Sequence, residues 1–167
     1  MAKSNNKGFT IIEVALVLAI AGLIFLVVFL ALPALQRSQR DTARRQSVGN
    51  VVSALQNFES NNQGSLAGLT AGSATAPNGS GTNGAQALFN ITGALSNVDT
   101  IQVVTTATAP SDNNTVVVTS NALCGSTTGT DGKAITSGTS VNGKTVSARD
   151  AAAVMKLESN SYYCADM

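Results

Sequence analysis

The sequence predicts an α+β protein in which a long N-terminal α-helix, membrane-spanning in its first half, packs by its second half on a small antiparallel β-sheet. Two observations support this class. The 22 residues from Val14 to Leu35 include no charged side chain. Beyond residue 64 the chain is rich in Ser, Thr, Asn, Gly and Ala, with short valine-rich runs that are typical of strands. With 167 residues, the chain can form one small domain and one additional element.

A short hydrophilic leader opens the chain. It ends at Gly8, contains Lys3 and Lys7, and is followed by Phe9 and by Glu13, the fifth residue counted from Phe9. In an ordinary secretory signal the apolar region precedes the cleavage site, whereas here it follows this motif. The arrangement resembles the class III signal peptide of type IV prepilins, in the type IV pilin and pseudopilin superfamily. The alternative is a plain signal anchor in which the glutamate occurs by chance.

The resemblance covers about residues 7–60 and implies a processing step and a set of partners. It implies that prepilin peptidase cuts after Gly8 and methylates the new amino terminus at Phe9. It also implies a helical homopolymer with other pilins, assembled by a platform protein and an assembly ATPase. The implied function is a structural subunit of a type IV pilus for adhesion, twitching motility or DNA uptake. The alternative function is a pseudopilin of a type II secretion system.

Glu13 is the residue whose place in the sequence most needs an explanation. A charged side chain costs about 2.5–3.5 kcal/mol at the bilayer centre and less toward the interface. No Lys or Arg occurs between Lys7 and Arg37, so no basic side chain nearby offsets this cost. Cleavage after Gly8 would create a positive amine at Phe9. The resemblance implies that Glu13 pairs with this amine on a neighbouring subunit and so sets the register of assembly.

The apolar run is long enough to cross a membrane. At about 1.5 Å per residue, a helix of this length covers the roughly 30 Å hydrocarbon core of a bilayer. Gly22 permits close approach of another helix, and Pro33 lacks an amide donor and crowds the carbonyl of Phe29. We expect a bend near Pro33, and the resemblance implies that residues 22–33 melt in the filament. The alternative is that both are ordinary membrane-helix residues.

The helical pattern continues past the apolar run. Apolar residues recur there at spacings of three and four, giving a stripe suited to packing on a sheet: Val48, Val51, Val52, Leu55 and Phe58. Asp41 is four residues from both Arg37 and Arg45, which predicts two ion pairs along the helix. Gly64 is the predicted C-terminal cap, so the helix is expected to occupy residues 9–62.

Two strands of the head are predicted from β-branched residues, at Thr100–Thr108 and Thr115–Thr119. Asp112-Asn113-Asn114 lies between them and favours a turn, so we predict an antiparallel hairpin. A calcium site is the less favoured interpretation of the same three residues. Asn90-Ile91-Thr92 and Asn113-Asn114-Thr115 also fit the glycosylation triplet, which is a weak pattern.

The remaining parts of the head are predicted from turn dipeptides and composition. Residues 64–84 are interpreted as a surface loop, and Ala85–Ile91 as a short helix. Ala151–Glu158 contains residues that favour helix, but a strand there matches the last strands of a pilin sheet, and we predict a strand. Three Asn-Gly dipeptides are predicted to be turns, the last of them within a hairpin: Asn78-Gly79, Asn83-Gly84 and Asn142-Gly143.

The two cysteines, Cys124 and Cys164, lie in the last third of the chain. A disulfide between them would close a loop worth about 3–4 kcal/mol in the chain-entropy model. Export favours pairing, and two buried thiols are the alternative. The pair also favours a pilus subunit, because pseudopilin heads more often use calcium at the corresponding end.

Residue types that usually carry catalysis are scarce. The chain has no His, and its acidic residues are scattered, so we find no nucleophile with a base, no metal-ligand spacing and no phosphate-binding loop. This predicts a structural protein without a cofactor and disfavours a membrane-anchored enzyme or receptor. Residues 1–50 carry a net charge of +4 and residues 51–167 a net charge of −3, which is unlike a nucleic-acid-binding head.

The expected organisation and topology follow from these elements. Basic residues near the apolar run are more numerous on its C-terminal side, which by charge alone would place that side in the cytoplasm. The resemblance implies the opposite: a single-pass precursor with a cytoplasmic N-terminus, and a mature chain in an extracellular filament. The predicted segments are the cleaved leader (1–8), the membrane and polymerisation helix (9–35), its amphipathic continuation (36–62), a connecting loop (63–99) and a sheet with the cysteines (100–167).

Overall fold

The protein, described here by a computed structural model, confirms the predicted α+β class. The structure describes residues 8–75, 83–92, 95, 98–125, 134–136, 140–141 and 144–167. The chain divides into two compact units, Met1–Ser38 and Gln39–Met167. One helix, α1 (Ile11–Asn61), contributes residues to both units.

Helix α1 has two sequence patterns along its length. Its large apolar residues in the first unit are exposed, whereas the stripe predicted from the spacing of three and four is buried in the second unit at all five positions: Val48, Val51, Val52, Leu55 and Phe58. The helix contains Pro33 and is helical on both sides of it. Its observed start is two residues later than predicted, because the Thr10 side chain caps the helix.

The C-terminal end of α1 differs slightly from the prediction. Gln63 has a φ of 57° and Gly64 a φ of 77°, so two successive residues take the left-handed conformation. The Gly64 N–H donates to the carbonyl of Glu59 at 2.9 Å, which is the pattern of a Schellman cap. Gly64 is thus part of the cap, but Gln63 occupies the first left-handed position. A side chain at Gly64 would collide with the guanidinium of Arg149.

The described part of the head contains nine strands and one short helix. Their bounds are β1 Gly72–Thr75, α2 Asn83–Thr92, β2 Thr100–Val104, β3 Thr115–Ser120, β4 Ala122–Cys124, β5 Ala134–Thr136, β6 Ser140–Val141, β7 Lys144–Thr145, β8 Ala151–Lys156 and β9 Tyr162–Asp166. Five strands form one sheet in the order β1-β2-β3-β8-β9, and the others form two short hairpins, β4-β5 and β6-β7.

The sheet is mixed, and the predicted antiparallel hairpin between β2 and β3 is wrong. These strands pair in parallel, with Thr100 opposite Thr115 and Val104 opposite Thr119. The strand ends at Val104, and residues 105–114 return to the beginning of β2 instead of turning back at once. The carbonyl of Asn114 there accepts the N–H groups of Asp99 and Thr100, at 2.9 and 3.3 Å.

The turn chemistry assigned to residues 112–114 is nevertheless present. The Asn114 N–H donates to Asp112 Oδ1 at 3.0 Å, which forms an Asx turn. Asn114 Nδ2 also donates to Asp99 Oδ2 at 2.8 Å. Residues 112–114 therefore turn the chain into β3 beside the N-terminal end of β2. The sequence had suggested a turn at the C-terminal end of β2.

A strand within the predicted connecting loop was missed. Residues 72–75 form β1, which pairs antiparallel with β2 and places Ser73 opposite Gln102. Its composition has little strand propensity, and only Ala74 is buried, so the pairing with β2 rather than the local sequence specifies it. The dipeptide Asn83-Gly84 was also wrongly interpreted as a loop turn, because it opens α2. At Gly84 a Cβ would lie 2.7 Å from the backbone nitrogen of Thr70, so close backbone approach requires glycine.

Three other predictions for the head are confirmed. Helix α2 includes the predicted Ala85–Ile91, and β8 is a strand despite its helix-favouring composition. Strands β6 and β7 pair antiparallel, with Val141 opposite Lys144, as the last Asn-Gly dipeptide predicted. That dipeptide, Asn142-Gly143, and Asn78-Gly79 both lie outside the described residues.

The core of the head lies on one face of the sheet. The largest cluster joins residues of α1 and α2 to alternate residues of the central strands, among them Val116, Val118 and Met155. The other face carries a smaller cluster of Ala122, Ala152 and Val154, with Cys124 and Cys164 packed against it. Small and β-branched side chains dominate both clusters, which is consistent with the low aromatic content of 4%.

Candidate functional site

The beginning of α1 is organised by two side chains, Thr10 and Glu13. Thr10 donates to Glu13 Oε2 from its backbone N–H at 2.9 Å and from its hydroxyl at 2.7 Å. In return, the Glu13 N–H lies 3.4 Å from Thr10 Oγ1. This reciprocal arrangement is a capping box, with Thr10 as the N-cap.

Thr10 is therefore a partner of Glu13 that was not predicted from the sequence, where only basic groups and the future amine of Phe9 were considered. The signal was present in Thr10-Ile11-Ile12-Glu13, which has the spacing of a capping box directly before an apolar run. Thr10 thus gives Glu13 neutral hydrogen-bond donors within its own chain. The apolar run contains no basic side chain that could pair with Glu13.

Gly8 and Phe9 lie immediately before this cap. Neither residue is helical, and Phe9 is 88% exposed. The peptide bond assigned as the cleavage site is therefore in exposed, non-helical backbone. The geometry is compatible with processing at Gly8–Phe9, whose cleavage stays a prediction.

The apolar part of α1 presents an extended exposed surface. The helix includes an 18-residue window with a mean hydropathy of 3.2, and none of that window is buried. The exposed side chains are large and aliphatic or aromatic, for example Leu23, Phe25, Leu26, Phe29 and Leu30. Soluble monomeric proteins rarely expose a contiguous apolar surface of this extent. The surface requires a bilayer or neighbouring protein to cover it.

Gly22 and Pro33 both lie within this surface. No described atom outside the local helix comes within 4 Å of the position that a Cβ at Gly22 would occupy. The site is thus open to the approach of a second helix. The expectation that residues 22–33 loosen in a filament stays a prediction.

Where α1 meets the head, it forms an ion-pair network with the turn between β8 and β9. Arg40 binds both oxygens of Glu158, at 2.7 and 2.9 Å, and Arg44 Nη1 lies 3.0 Å from Glu158 Oε1. Asp41 accepts the backbone N–H of Glu158 at 2.8 Å. Hydrogen bonds and ion pairs to Arg40 and then Arg44 lower the pKa of Glu158 to about 2.

This network replaces the ion pairs predicted along the helix. Asp41 lies 3.5 Å from Arg44 rather than pairing four residues away, and Arg45 lies over the ring of Tyr163 at 5.4 Å from its centroid. Arg44 is buried and donates from Nε to the carbonyl of Asn113 at 3.0 Å. Sequence spacing along one helix gave no sign of the contacts with Glu158, Tyr163 and Asn113, because these partners lie about 70–120 residues away.

The predicted disulfide is present. Cys124 in β4 and Cys164 in β9 are bonded, with a Cα–Cα distance of 5.8 Å. Asp166 reinforces the same connection, since its Oδ2 accepts the Cys124 N–H at 2.9 Å. Together they attach the small β4-β5 hairpin to the last strand of the sheet.

These features define a class of protein: a small α+β head carried by a helix whose N-terminal part is capped, apolar and exposed. A family model described as the prokaryotic N-terminal methylation motif matches residues 3–29. No curated protein and no solved structure matches the chain significantly.

The chain thus carries the class III signal peptide of type IV pilins. This motif supports a type IV pilin or pseudopilin precursor, and it implies a structural protein. It also implies assembly with other pilins and processing by prepilin peptidase. The apolar helix fits a membrane-anchored precursor that is assembled into a surface filament.

Proposed function

We propose that the protein is the structural subunit of a type IV pilus filament and polymerises through the apolar part of α1. The observation that carries this proposal is the apolar surface over about residues 14–35, whose large side chains are exposed. In the precursor the bilayer covers this surface, and in the filament neighbouring copies of the same helix cover it. One surface therefore serves first as a membrane anchor and then as a polymer interface.

Processing would prepare the subunit for assembly. Prepilin peptidase would cut the Gly8–Phe9 bond, removing the leader with Lys3 and Lys7, and would methylate the amine of Phe9. The new positive charge would lie four residues before Glu13 in the chain. Pairing of Glu13 with the amine of a neighbouring subunit would be strong in a low-dielectric bundle, and a misplaced subunit would leave both charges unmatched.

The proposed topology places the N-terminus in the cytoplasm and the head outside. Four arginines on the C-terminal side of the apolar run oppose this orientation by charge. The ion-pair network accounts for two of them: Arg40 and Arg44 bind Glu158 in the head. In the proposed orientation these two basic residues would thus have a structural role on the exported side. A disulfide between Cys124 and Cys164 also supports an oxidising compartment.

The partners of this proposal are other copies of the chain, other pilins, prepilin peptidase, a platform membrane protein and a cytoplasmic assembly ATPase. Adhesion, twitching motility and DNA uptake are the activities that such a filament would serve. A pseudopilin of a type II secretion system shares the same N-terminal motif. The disulfide supports a pilus subunit over a pseudopilin, because pseudopilin heads more often use calcium at the corresponding end.

Isolation of sheared surface filaments tests the proposal. We expect their main component to be this chain, beginning at a methylated Phe9, as read by mass spectrometry of the N-terminal peptide. Filaments that lack the chain, or contain it with Met1 intact, would contradict the proposal. A chain confined to the periplasm, whose deletion blocks protein secretion but leaves surface filaments intact, would identify a pseudopilin instead.

A further inference from the structure

We infer that Thr10 is a positioning residue for cleavage of the precursor, because it stops α1 on its N-terminal side and keeps the Gly8–Phe9 peptide outside the helix. The inference rests on the proposed function, since it concerns the same processing step. Gly8, Phe9 and Thr10 are non-helical, and α1 begins at Ile11.

The hydrogen bonds of the first turn show how Thr10 stops the helix. In an α-helix each N–H donates to the carbonyl four residues earlier. Extension of α1 toward the leader would therefore require the Glu13 N–H to bond the carbonyl of Phe9, and the Ile12 N–H to bond the carbonyl of Gly8. The Glu13 N–H instead faces Thr10 Oγ1 at 3.4 Å, and the Val14 N–H donates to the Thr10 carbonyl at 3.4 Å. Thr10 thus occupies the donor that extension needs first.

The surroundings make this cap more consequential than it would be in water. The turn lies at the beginning of an apolar run, and where that run enters a bilayer an uncapped N–H would have few water molecules to bond. Without the Thr10 hydroxyl, the Glu13 N–H would take the nearest carbonyl, which is that of Phe9. The helix would then advance over the peptide that has to be cut.

Glu13 supplies the other half of the capping box. Its carboxylate accepts the N–H and the hydroxyl of Thr10, at 2.9 and 2.7 Å, and so holds the Thr10 side chain in its capping orientation. Removal of the Glu13 side chain would still leave the Thr10 hydroxyl able to accept the backbone N–H of residue 13. Mutations at Thr10 and at Glu13 can therefore distinguish the contributions of the two side chains to the cap.

The chemistry of cleavage explains why helix extension would matter. A water oxygen adds to the carbonyl carbon of Gly8, the bond from that carbon to the nitrogen of Phe9 breaks, and the nitrogen takes up a proton. The products are the leader carboxylate at Gly8 and the free amine at Phe9. In an extended helix the Gly8 carbonyl would be held by the Ile12 N–H and enclosed by the first turn, so fewer precursor molecules could enter the peptidase.

The test uses the full-length precursor in detergent micelles with purified prepilin peptidase. Thr10→Val keeps the shape of the side chain and removes the hydroxyl, and Thr10→Ser is the matched control that keeps it. We expect Thr10→Val to raise KM about fivefold with little change in kcat, because only the competent fraction of the precursor binds. We expect Thr10→Ser to behave as the unmodified precursor.

The carbonyl carbon NMR chemical shifts of ¹³C-labelled Gly8 and Phe9, measured in the precursor alone, report on the helix without the peptidase. A direct contact of Thr10 with the peptidase would not change them. They should shift toward helical values in Thr10→Val and stay unchanged in Thr10→Ser. Normal cleavage of Thr10→Val, unchanged shifts, or equal impairment of both variants would overturn the inference. If Thr10→Val is cut normally while Gly8→Asp is not, only this inference fails; if the unmodified precursor is not cut after Gly8, the proposed function fails with it.

Discussion

Gly8 occupies exposed, non-helical backbone next to a capped helix, and its substitution tests the processing step directly. We expect Gly8→Asp to leave an uncut precursor in the membrane, because a charged side chain would stand beside the carbonyl that is to be attacked. The precursor and mature forms are separated by size on an immunoblot of membrane and sheared fractions. Gly8→Ala is the control that adds only a methyl group. Mature-sized Gly8→Asp protein in sheared filaments would contradict the assignment.

Glu13 tests the assembly step without blocking the cut. We expect Glu13→Ala to be processed normally and to yield about tenfold fewer filaments, which corresponds to a loss of about 1.4 kcal/mol at the interface. Filament yield per cell is measured after shearing, with the N-terminal residue checked by mass spectrometry.

A matched variant separates the charge of Glu13 from its capping role. Glu13→Gln removes the charge but keeps an oxygen that can accept the Thr10 N–H, as glutamine does in other capping boxes. If charge pairing drives assembly, Glu13→Gln should fail as Glu13→Ala does. Normal assembly of Glu13→Gln would show that the cap, and not the pairing with the Phe9 amine, is the contribution of this residue.

The sequence identified most of the residues at the N-terminal site but not the geometry that links them. Gly8, Phe9 and Glu13 were identified because each has a fixed place relative to the others. Thr10 was not predicted as a partner of Glu13 because it carries no charge. A hydroxyl three residues before a carboxylate is an equally local signal, and it correctly places the start of α1.

At the scale of elements, the ion-pair network gives the head a specific response to acid. The pKa of Glu158 is about 2 in the folded chain, below its ordinary value of 4.5, with the hydrogen bond from Arg40 as the largest cause. The stabilisation from this lowered pKa is complete above about pH 4.5 and is lost as the pH falls toward 2.

Glu158→Gln should therefore reduce the free energy of unfolding at pH 7, and the difference from the unmodified chain should narrow between pH 4.5 and 2. Urea unfolding of the head at several pH values measures this. Lys156→Gln, two residues away and outside the network, is the matched control and should leave the acid profile unchanged. A difference independent of pH would show that the variant acts through packing instead.

The disulfide joins β4 to the edge strand β9, and its removal should weaken that attachment. In the chain-entropy model a loop of this length contributes about 4 kcal/mol, so the double variant Cys124→Ser, Cys164→Ser should lose a comparable part of the free energy of unfolding. Hydrogen exchange should increase first in β4 and β9. The unmodified head under reducing conditions is the control and should match the double variant. Unchanged unfolding would mean that Asp166 and the smaller cluster hold the hairpin without the covalent bond.

Elements with a local signal were predictable, and those specified by distant partners were not. The buried stripe of α1 follows directly from its periodicity. The parallel pairing of β2 with β3 is accompanied by contacts of Asn113 and Asn114 with Arg44 and Asp99, which local propensity does not predict. Strand β1 likewise exists because β2 offers it an edge. These are the tertiary interactions that override local preference.

For the whole molecule, the division into Met1–Ser38 and Gln39–Met167 separates the surface that needs covering from the core that is already packed. Among the described residues, the exposed large apolar side chains lie between Phe9 and Leu35, within the first unit. Both core clusters, the disulfide and the ion-pair network lie within the second unit. If the chain polymerises as proposed, association and folding belong to different parts of it.

This separation predicts that residues 39–167 form a soluble monomeric head. Every buried side chain of the described core is retained in that fragment, including the part of α1 that packs on the sheet. We expect one cooperative unfolding transition and the mass of a monomer in solution, because removal of residues 1–38 removes the apolar surface that drives association. The mature chain beginning at Phe9 is the control and should require detergent and associate when detergent is removed. Aggregation of the fragment, or unfolding without cooperativity, would contradict this prediction. The first unit would then have to contribute to the stability of the head, so insertion of its apolar helix into a bilayer or a filament would destabilise the head.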